Sequence, residues 1–102
     1  MLSDERLRGT VLAVDDDIDI LRMLNRYFAA RLPTFNLITA ESGAGALQRL
    51  TNNPDLILLD VNLPDTDGFS LAERIRAITL VPIIFLTARV TDEDKVRGLG
   101  AG

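Results

Sequence analysis

Apolar and polar residues alternate along the chain in blocks that predict strands separated by helices. Short apolar runs at residues 10–14, 35–39, 55–60 and 81–87 predict four strands. Residues 56–59 are apolar without alternation and stop at Asp60, which is typical of a strand buried on both faces. The run at 35–39 is less apolar, so we expect it at an edge of the sheet.

Helices are predicted where apolar residues recur at intervals of three or four positions. The intervals favour helices over residues 17–31, 42–50 and 67–77. Thr91 and Asp94 resemble a capping pair, which predicts a fourth helix over residues 92–99. The predicted apolar stripes are Leu21, Leu24 and Phe28 in the first helix, Ala44, Leu47 and Leu50 in the second, and Ala72, Ile75 and Ile78 in the third. The aspartates at 15–17 and Ser42 are suited to cap the first two helices. Gly43 and Gly45 weaken the second.

This β-α-β-α-β-α-β-α order predicts one α/β domain. Strands that alternate with helices at this spacing form a parallel sheet with right-handed crossovers and helices on both faces. We expect the domain at residues 10–102, after a polar lead-in at residues 1–9.

The amino-acid composition excludes several kinds of functional site. The 102 residues include no Cys and no His, which excludes disulfides, thiolate metal sites and His-activated nucleophiles. The net charge of −4 argues against direct nucleic-acid binding, because phosphate contacts need a basic surface. No apolar run approaches the roughly 20 residues needed to cross a bilayer.

Three of the predicted strands lead into oxygen-bearing side chains. Asp15 and Asp16 follow the first strand, Asp60 ends the third, and Thr87 ends the fourth. Open α/β sheets bind ligands at the carboxyl ends of their strands, so adjacent strands would bring these groups together. Close carboxylates repel each other unless a cation neutralises them, and hard oxygen ligands favour Mg²⁺. Because a carboxylate beside such an ion can attack phosphorus, we predict a Mg²⁺-assisted phosphoryl acceptor.

Other interpretations explain single features. The aspartates at 15–17 can be a helix cap, Asp60 a turn residue and Thr87 a strand-end residue. The segment 65–68 resembles part of a calcium loop, but Leu63 stands at the first ligand position. Residues 43–45 lack the third Gly of a dinucleotide fingerprint, and the chain has no phosphate-binding Gly-Lys-Ser/Thr loop.

Residues 11–17, 55–68 and 81–88 together resemble the receiver domain of two-component response regulators. The resemblance implies a flavodoxin-like (CheY-like) three-layer sandwich whose sheet has the order 2-1-3-4, followed in the family by a fifth strand. It implies that Asp60 accepts a phosphoryl group. It also implies that Asp16, Asp60 and the main-chain carbonyl of Asn62 bind Mg²⁺ or Mn²⁺ directly, with Asp15 acting through water.

The resemblance extends to residues after the site and to partners. Thr87 is implied to hydrogen-bond the phosphoryl group and to shift on activation, and the small Ala88 to leave access to it. The implied donor is a sensor histidine kinase or a phosphotransfer protein in the cytoplasm, without direct nucleic-acid or membrane contact. A receiver is no independent enzyme, since it catalyses only its own phosphorylation and dephosphorylation.

The chain departs from the family pattern after Gly102, where the sequence stops before a fifth strand, a fifth helix and the family's Lys. Lys95 cannot replace that Lys, because it falls in the predicted fourth helix. We therefore expect a truncated receiver that still binds Mg²⁺ but has impaired phosphotransfer. An apolar fourth strand left at an edge predicts a homodimer, through that strand or through swapped elements.

Two further classes of function stay open at this point. One is a receiver-derived protein-interaction module that no longer transfers phosphate. The other is a phosphatase-like enzyme with an Asp nucleophile, but such enzymes place a second acid two residues later, where this chain has Asn62. Binding of Mg²⁺ and turnover of a phosphate ester would separate these classes.

Overall fold

The computed structural model describes residues 8–86, which form a parallel sheet with helices between the strands. The strands are β1 (Gly9–Val14), β2 (Phe35–Ala40), β3 (Leu56–Asp60) and β4 (Ile83–Leu86). The helices are α1 (Ile18–Arg31), α2 (Gly43–Arg49), which continues into a 3₁₀ turn at Leu50–Asn52, and α3 (Gly68–Arg76). The predicted fourth helix, Thr87, Ala88 and Lys95 lie outside the described residues.

The four strands have the order β2-β1-β3-β4, and every neighbouring pair is parallel. This order and the edge position of β2 confirm the sequence prediction. The central strands β1 and β3 pair with Val14 opposite Leu59, so they end side by side. Any polar residue that follows these two strands therefore reaches the same edge of the sheet.

The main core lies on one face of this sheet. Alternate residues of the central strands and Ala40 of β2 pack there against α2 and α3, in a cluster of buried side chains: Leu12, Val14, Ala40, Ala46, Ile57, Leu59, Leu71 and Ile75. Val11 and Ala13 are buried on the opposite face, because successive strand residues point to opposite sides. Within residues 8–86, α1 contributes nothing to this cluster but buries its own Leu21.

Two predicted stripes differ from the structure. In α3 the buried pair is Leu71 and Ile75, whereas Ile78 lies beyond the last helical residue and is 65% exposed. In α2 the predicted Leu47 and Leu50 do pack, partly buried, against the core, but the predicted Ala44 is exposed and Ala46 is the fully buried residue. The stripe predicted for α1 is confirmed, with Leu21 as its buried member.

The burial predicted for β3 is correct for one face only. Ile57 and Leu59 are fully buried, but Leu56 and Leu58 keep partial exposure within the described part of the chain. Ile84, which pairs with Leu58 from β4, is 52% exposed. None of the described helices is both long and apolar enough to span a bilayer.

Candidate functional site

Three carboxylates meet at the carboxyl edge of the sheet. Asp15 and Asp16 directly follow β1, and Asp60 is the last residue of β3. One oxygen from each of these three side chains lies within 4.8 Å of the others. The parallel pairing of β1 and β3 produces this meeting, because it places the two strand ends beside each other. The sequence prediction of convergence at this edge is met for these three residues.

Consecutive aspartates after β1 have different surroundings. Asp15 is buried; its N–H donates to Ala40 O of β2 at 3.0 Å, and its Oδ1 accepts from Asp17 N–H at 2.9 Å. Asp17 instead caps α1, because its Oδ1 accepts from Asp19 N–H at 2.9 Å. The predicted capping is therefore made by Asp17, which leaves Asp15 and Asp16 to the cluster.

Asp60 combines deep burial with little hydrogen bonding of its carboxylate among the described residues. Its side chain is only 2% exposed. Oδ1 accepts a long hydrogen bond of 3.3 Å from Asn62 N–H. Oδ2 is buried and has no hydrogen-bond donor among the described residues. A buried charged oxygen without a partner is costly, so this atom is poised for a cation or for a reaction.

The loop between β3 and α3 carries Asn62 and is tightly folded. Asn62 and Asp67 form an isolated antiparallel bridge, and Gly68 N–H donates to Val61 O at 2.7 Å. A Cβ on Gly68 would lie 2.4 Å from Asp60 O and 2.7 Å from Val61 Cα. Only glycine therefore lets α3 begin this close to the backbone of Asp60.

Two aspartates of the same loop cap helices. Asp67 accepts from Ser70 N–H and Ser70 Oγ, both at 2.8 Å, at the start of α3. Asp65 accepts from Gly43 N–H at 2.8 Å and Ala44 N–H at 3.0 Å, at the start of α2. The hydrogen bonds from Gly43 and then Ala44 lower the pKa of Asp65, and those from the Ser70 backbone and side chain lower the pKa of Asp67.

Sequence reasoning missed the contact of Asp65. It assigned Ser42 as the cap of α2, and Ser42 Oγ does accept from Gly45 N–H at 3.0 Å. Asp65 caps the same helix from more than 20 positions along the chain. No local pattern signals such a contact, because it depends on where the loop folds.

The donor set fits a hard divalent cation. Three carboxylates within 4.8 Å repel each other without a counter-charge, and one of their oxygens is buried without a described partner. Mg²⁺ in proteins takes one or two carboxylates together with water and phosphate oxygens. Asp60 pairs with Leu86 of β4, and Thr87 is the next residue in sequence, but its side chain lies outside the described residues.

Comparisons with known proteins agree with this geometry. The family model of the response regulator receiver domain matches residues 11–102. The transcriptional regulatory protein PrrA of Mycobacterium tuberculosis is 47% identical over 94 residues, which cover 90% of this chain and 40% of PrrA. The chain thus spans about 40% of the length of this curated relative.

Solved structures show the same architecture. A two-component response regulator from Clostridium difficile aligns with a TM-score of 0.75 at 27% identity, over 93% of this chain and 78% of that one. The chemotaxis response regulator CheY4 of Vibrio cholerae aligns with a TM-score of 0.73 at 31% identity, over 93% of this chain and 81% of that one. The sheet order and helix placement described above are therefore those of receiver domains.

Proposed function

The chain belongs to the receiver domain family of two-component response regulators, and from this membership we propose that it accepts a phosphoryl group on Asp60. The observation that carries the proposal is the buried Oδ2 of Asp60, which has no hydrogen-bond donor within residues 8–86 and lies beside Asp15 and Asp16. Such an arrangement destabilises a resting protein, so a reaction or a cation accounts for it better than packing does.

The proposed transfer uses a carboxylate as the nucleophile. An oxygen of Asp60 forms a bond to phosphorus while the bond between phosphorus and the donor imidazole nitrogen breaks, and the imidazole keeps that electron pair. The donor is a sensor histidine kinase or a phosphotransfer protein, in the cytoplasm. The product is an aspartyl phosphate, which is an established type of covalent intermediate.

Mg²⁺, or Mn²⁺ in its place, would be held by Asp16, Asp60 and the main-chain carbonyl of Asn62, with Asp15 acting through water. When bound, the ion neutralises the clustered carboxylates and the charge that develops on the phosphoryl oxygens. Asp15 is suited to an indirect role because it is buried and its Oδ1 already accepts from Asp17 N–H.

Thr87 and Ala88, the two residues that follow β4 in the sequence, are the remaining members of the proposed site. The hydroxyl of Thr87 donates to the phosphoryl group, and its shift reports the modification to the rest of the domain. The small side chain of Ala88 leaves the phosphorus open to approach. Both assignments rest on the family motif, supported by the pairing of Asp60 with Leu86 immediately before Thr87.

The test is phosphorylation by a small phosphoryl donor such as phosphoramidate with Mg²⁺. We expect a mass increase of one phosphoryl group that hydroxylamine removes, that chelation of the metal prevents, and that Asp60→Asn abolishes. Asp55→Asn is the matched control, because Asp55 precedes the opposite end of β3, where it accepts from Thr10 N–H at 2.8 Å. Phosphate incorporation that persists in Asp60→Asn would contradict the proposal.

The intact acidic cluster favours this function over an interaction-only module. An interaction module has no use for close carboxylates, one of which has a buried oxygen that finds no donor in the described part of the chain. Asn or Ser at these positions would be more stable. The proposal also includes no turnover of independent substrates, because Asn62 replaces the second acid of an Asp-based phosphatase. Steady hydrolysis of a phosphate ester by the protein would contradict that part.

A second copy of the chain is a further proposed partner. Within residues 8–86, β4 pairs only with β3, and Ile84 on that strand is 52% exposed. Apolar strand edges favour pairing with another chain. Light scattering on the 102-residue chain should show a dimer that Ile84→Lys weakens and that Met23→Lys on α1 leaves intact. A monomer at high concentration would contradict the dimer.

A further inference from the structure

Asp65 joins the loop after β3 to the start of α2. Its two carboxylate oxygens accept separately, Oδ1 from Gly43 N–H at 2.8 Å and Oδ2 from Ala44 N–H at 3.0 Å. The first N–H groups of a helix have no partner inside the helix, so they bind a carboxylate well. The side chain is exposed, so its contribution to the fold lies mainly in these two bonds.

Both the start of α2 and the loop after β3 accommodate this contact. Gly43 is buried, and a Cβ placed on it would lie 2.6 Å from Thr66 Cγ2 and 3.2 Å from Asp65 Oδ1. On the loop side, Leu63 N–H donates to Thr66 O at 3.2 Å, so Asp65 sits inside a closed turn. Movement of Asp65 therefore moves this turn as a unit.

The contact between Asp65 and the start of α2 belongs to a series of hydrogen bonds around the acidic cluster. On one side, Asp15 N–H donates to Ala40 O, and Ala40 lies three residues before Gly43. On the other side, the turn that holds Asp65 begins next to Asn62, whose N–H donates to Asp60 Oδ1 at 3.3 Å. The ends of β1, β2 and β3 are thus tied together, and Asp65 makes the link between the last two.

We propose that Asp65 is a positioning residue for the cation site, which holds the main chain of Asn62 and the carboxylate of Asp60 against α2. This inference rests on the proposed function, because it concerns the affinity of that same site for Mg²⁺. The 3.3 Å bond from Asn62 to Asp60 is long and restrains the loop weakly by itself. The two bonds of 2.8 and 3.0 Å at Asp65 provide the firmer restraint.

A purely structural role gives a different expectation. If Asp65 only caps α2, its loss should resemble the loss of Ser42, which caps the same helix through Gly45 N–H at 3.0 Å and has no described hydrogen bond to the loop. Both changes would then lower stability and leave the affinity for Mg²⁺ unchanged. A positioning role predicts that only the loss of Asp65 weakens the cation site.

The experiment measures the dissociation constant of Mg²⁺ by calorimetry for the unchanged protein, Asp65→Ala, Asp65→Asn and Ser42→Ala. Loss of an outer residue that orients metal ligands typically weakens binding by roughly 10- to 100-fold, so we expect about a 10-fold loss in Asp65→Ala. The Mg²⁺ affinity of Asp65→Asn should lie between those of the unchanged protein and Asp65→Ala, because its amide keeps one acceptor oxygen. Ser42→Ala should bind within about twofold of the unchanged protein. Gly43→Ala, which forces Thr66 away, should weaken binding as Asp65→Ala does.

The outcomes separate this inference from the proposed function. Equal Mg²⁺ affinity in Asp65→Ala and the unchanged protein would overturn the inference alone, as would equal losses in Asp65→Ala and Ser42→Ala. No Mg²⁺ binding by the unchanged protein would overturn the proposed function and this inference with it. Amide hydrogen exchange at Gly43 and Ala44 supplies a readout without metal. The exchange should accelerate in Asp65→Ala. Unchanged exchange would show that Asp65 does not accept from these two N–H groups.

Discussion

At the scale of single residues, the aspartates of this chain show that surroundings decide what a carboxylate does. Asp17 and Asp67 are helix caps: Asp17 accepts from one backbone N–H, and Asp67 accepts from the N–H and the hydroxyl of Ser70. Asp15 is buried with a donor at 2.9 Å, whereas one oxygen of Asp60 is buried without a described donor. The sequence shows all of them as acids, but only the fold separates the helix caps from the buried carboxylates of the acidic cluster.

Gly68 is the residue where a single methyl group should disturb the site. Gly68→Ala places Cβ 2.4 Å from Asp60 O, and this backbone atom cannot move aside cheaply. We expect a loss of about 1–3 kcal/mol in the free energy of unfolding, measured by urea denaturation, together with weaker Mg²⁺ binding. Gly45→Ala is the control: its nearest atom is Ser42 Oγ at 3.2 Å, so we expect a change within about 1 kcal/mol. Equal stability of the two variants would refute the close approach.

The helix caps Asp65 and Asp67 should make the free energy of unfolding depend on pH in the acid range. Hydrogen bonds in the folded state lower both pKa values below the ordinary 3.8, so folding is favoured by the ionised forms. The contribution is complete above the unfolded value and is lost as the pH falls through the lower folded value. The double variant Asp65→Asn/Asp67→Asn should thus be less stable than the unchanged protein at pH 7, by a gap that closes in acid.

Urea midpoints measured at a series of pH values check this closing gap. Glu41→Gln is the control, because the carboxylate of Glu41 makes no hydrogen bond that the structure describes. Its curve should run parallel to that of the unchanged protein at every pH. A gap for the double variant that is as wide at pH 3 as at pH 7 would show that the two caps do not depend on ionisation.

At the scale of elements, most boundaries follow from local signals, whereas the burial of helix faces does not. The strands follow from apolar runs, and Asp17, Ser42 and Asp67 begin the helices as caps. The stripe of α3 was correct for Ala72 and Ile75 but wrong at Ile78, because its spacing was extended past Arg76, where the helix ends. The length of a helix is set partly by tertiary packing, and periodicity alone does not report it.

Ile75 and Ile78 provide a test of the corrected helix face. Ile75 is fully buried in the main core, and Ile78 is 65% exposed. Ile75→Ala should lower the free energy of unfolding by about 2–5 kcal/mol, through lost burial and the cavity left behind. Ile78→Ala removes the same atoms from an exposed position and should change it by no more than about 0.5 kcal/mol. Chemical denaturation compares the two, and a larger loss for Ile78→Ala would restore the original stripe.

At the scale of the whole molecule, the sheet order is what turns scattered acids into a site. The alternation of strands and helices predicted the parallel sheet, and the pairing of β1 with β3 brings Asp15, Asp16 and Asp60 within 4.8 Å. The link from Asp65 to α2 was not predictable, because it joins segments 21 and 22 positions apart through loop geometry. Contacts between regular strands follow from pattern, whereas contacts between a loop and a helix end require the folded backbone.

The cost of bringing three carboxylates together predicts that Asp60→Asn stabilises the protein in the absence of Mg²⁺. The substitution removes one of three repelling charges, and its amide can donate to Asp15 or Asp16, where Asp60 Oδ2 now has no described donor. An unsatisfied buried polar group costs about 1–3 kcal/mol, so we expect a gain of that order in the free energy of unfolding.

Saturating Mg²⁺ should stabilise the unchanged protein much more than Asp60→Asn. A ligand at 100 times its dissociation constant stabilises the folded state by about 2.7 kcal/mol, and Asp60→Asn should lose most of that gain with its metal ligand. Urea unfolding followed by circular dichroism, with and without Mg²⁺, measures both effects, and Asp55→Asn serves as a control that keeps the metal response. If Asp60→Asn is less stable without Mg²⁺, the strain ascribed to the buried oxygen is absent. If it responds to Mg²⁺ like the unchanged protein, the ion does not bind at Asp60.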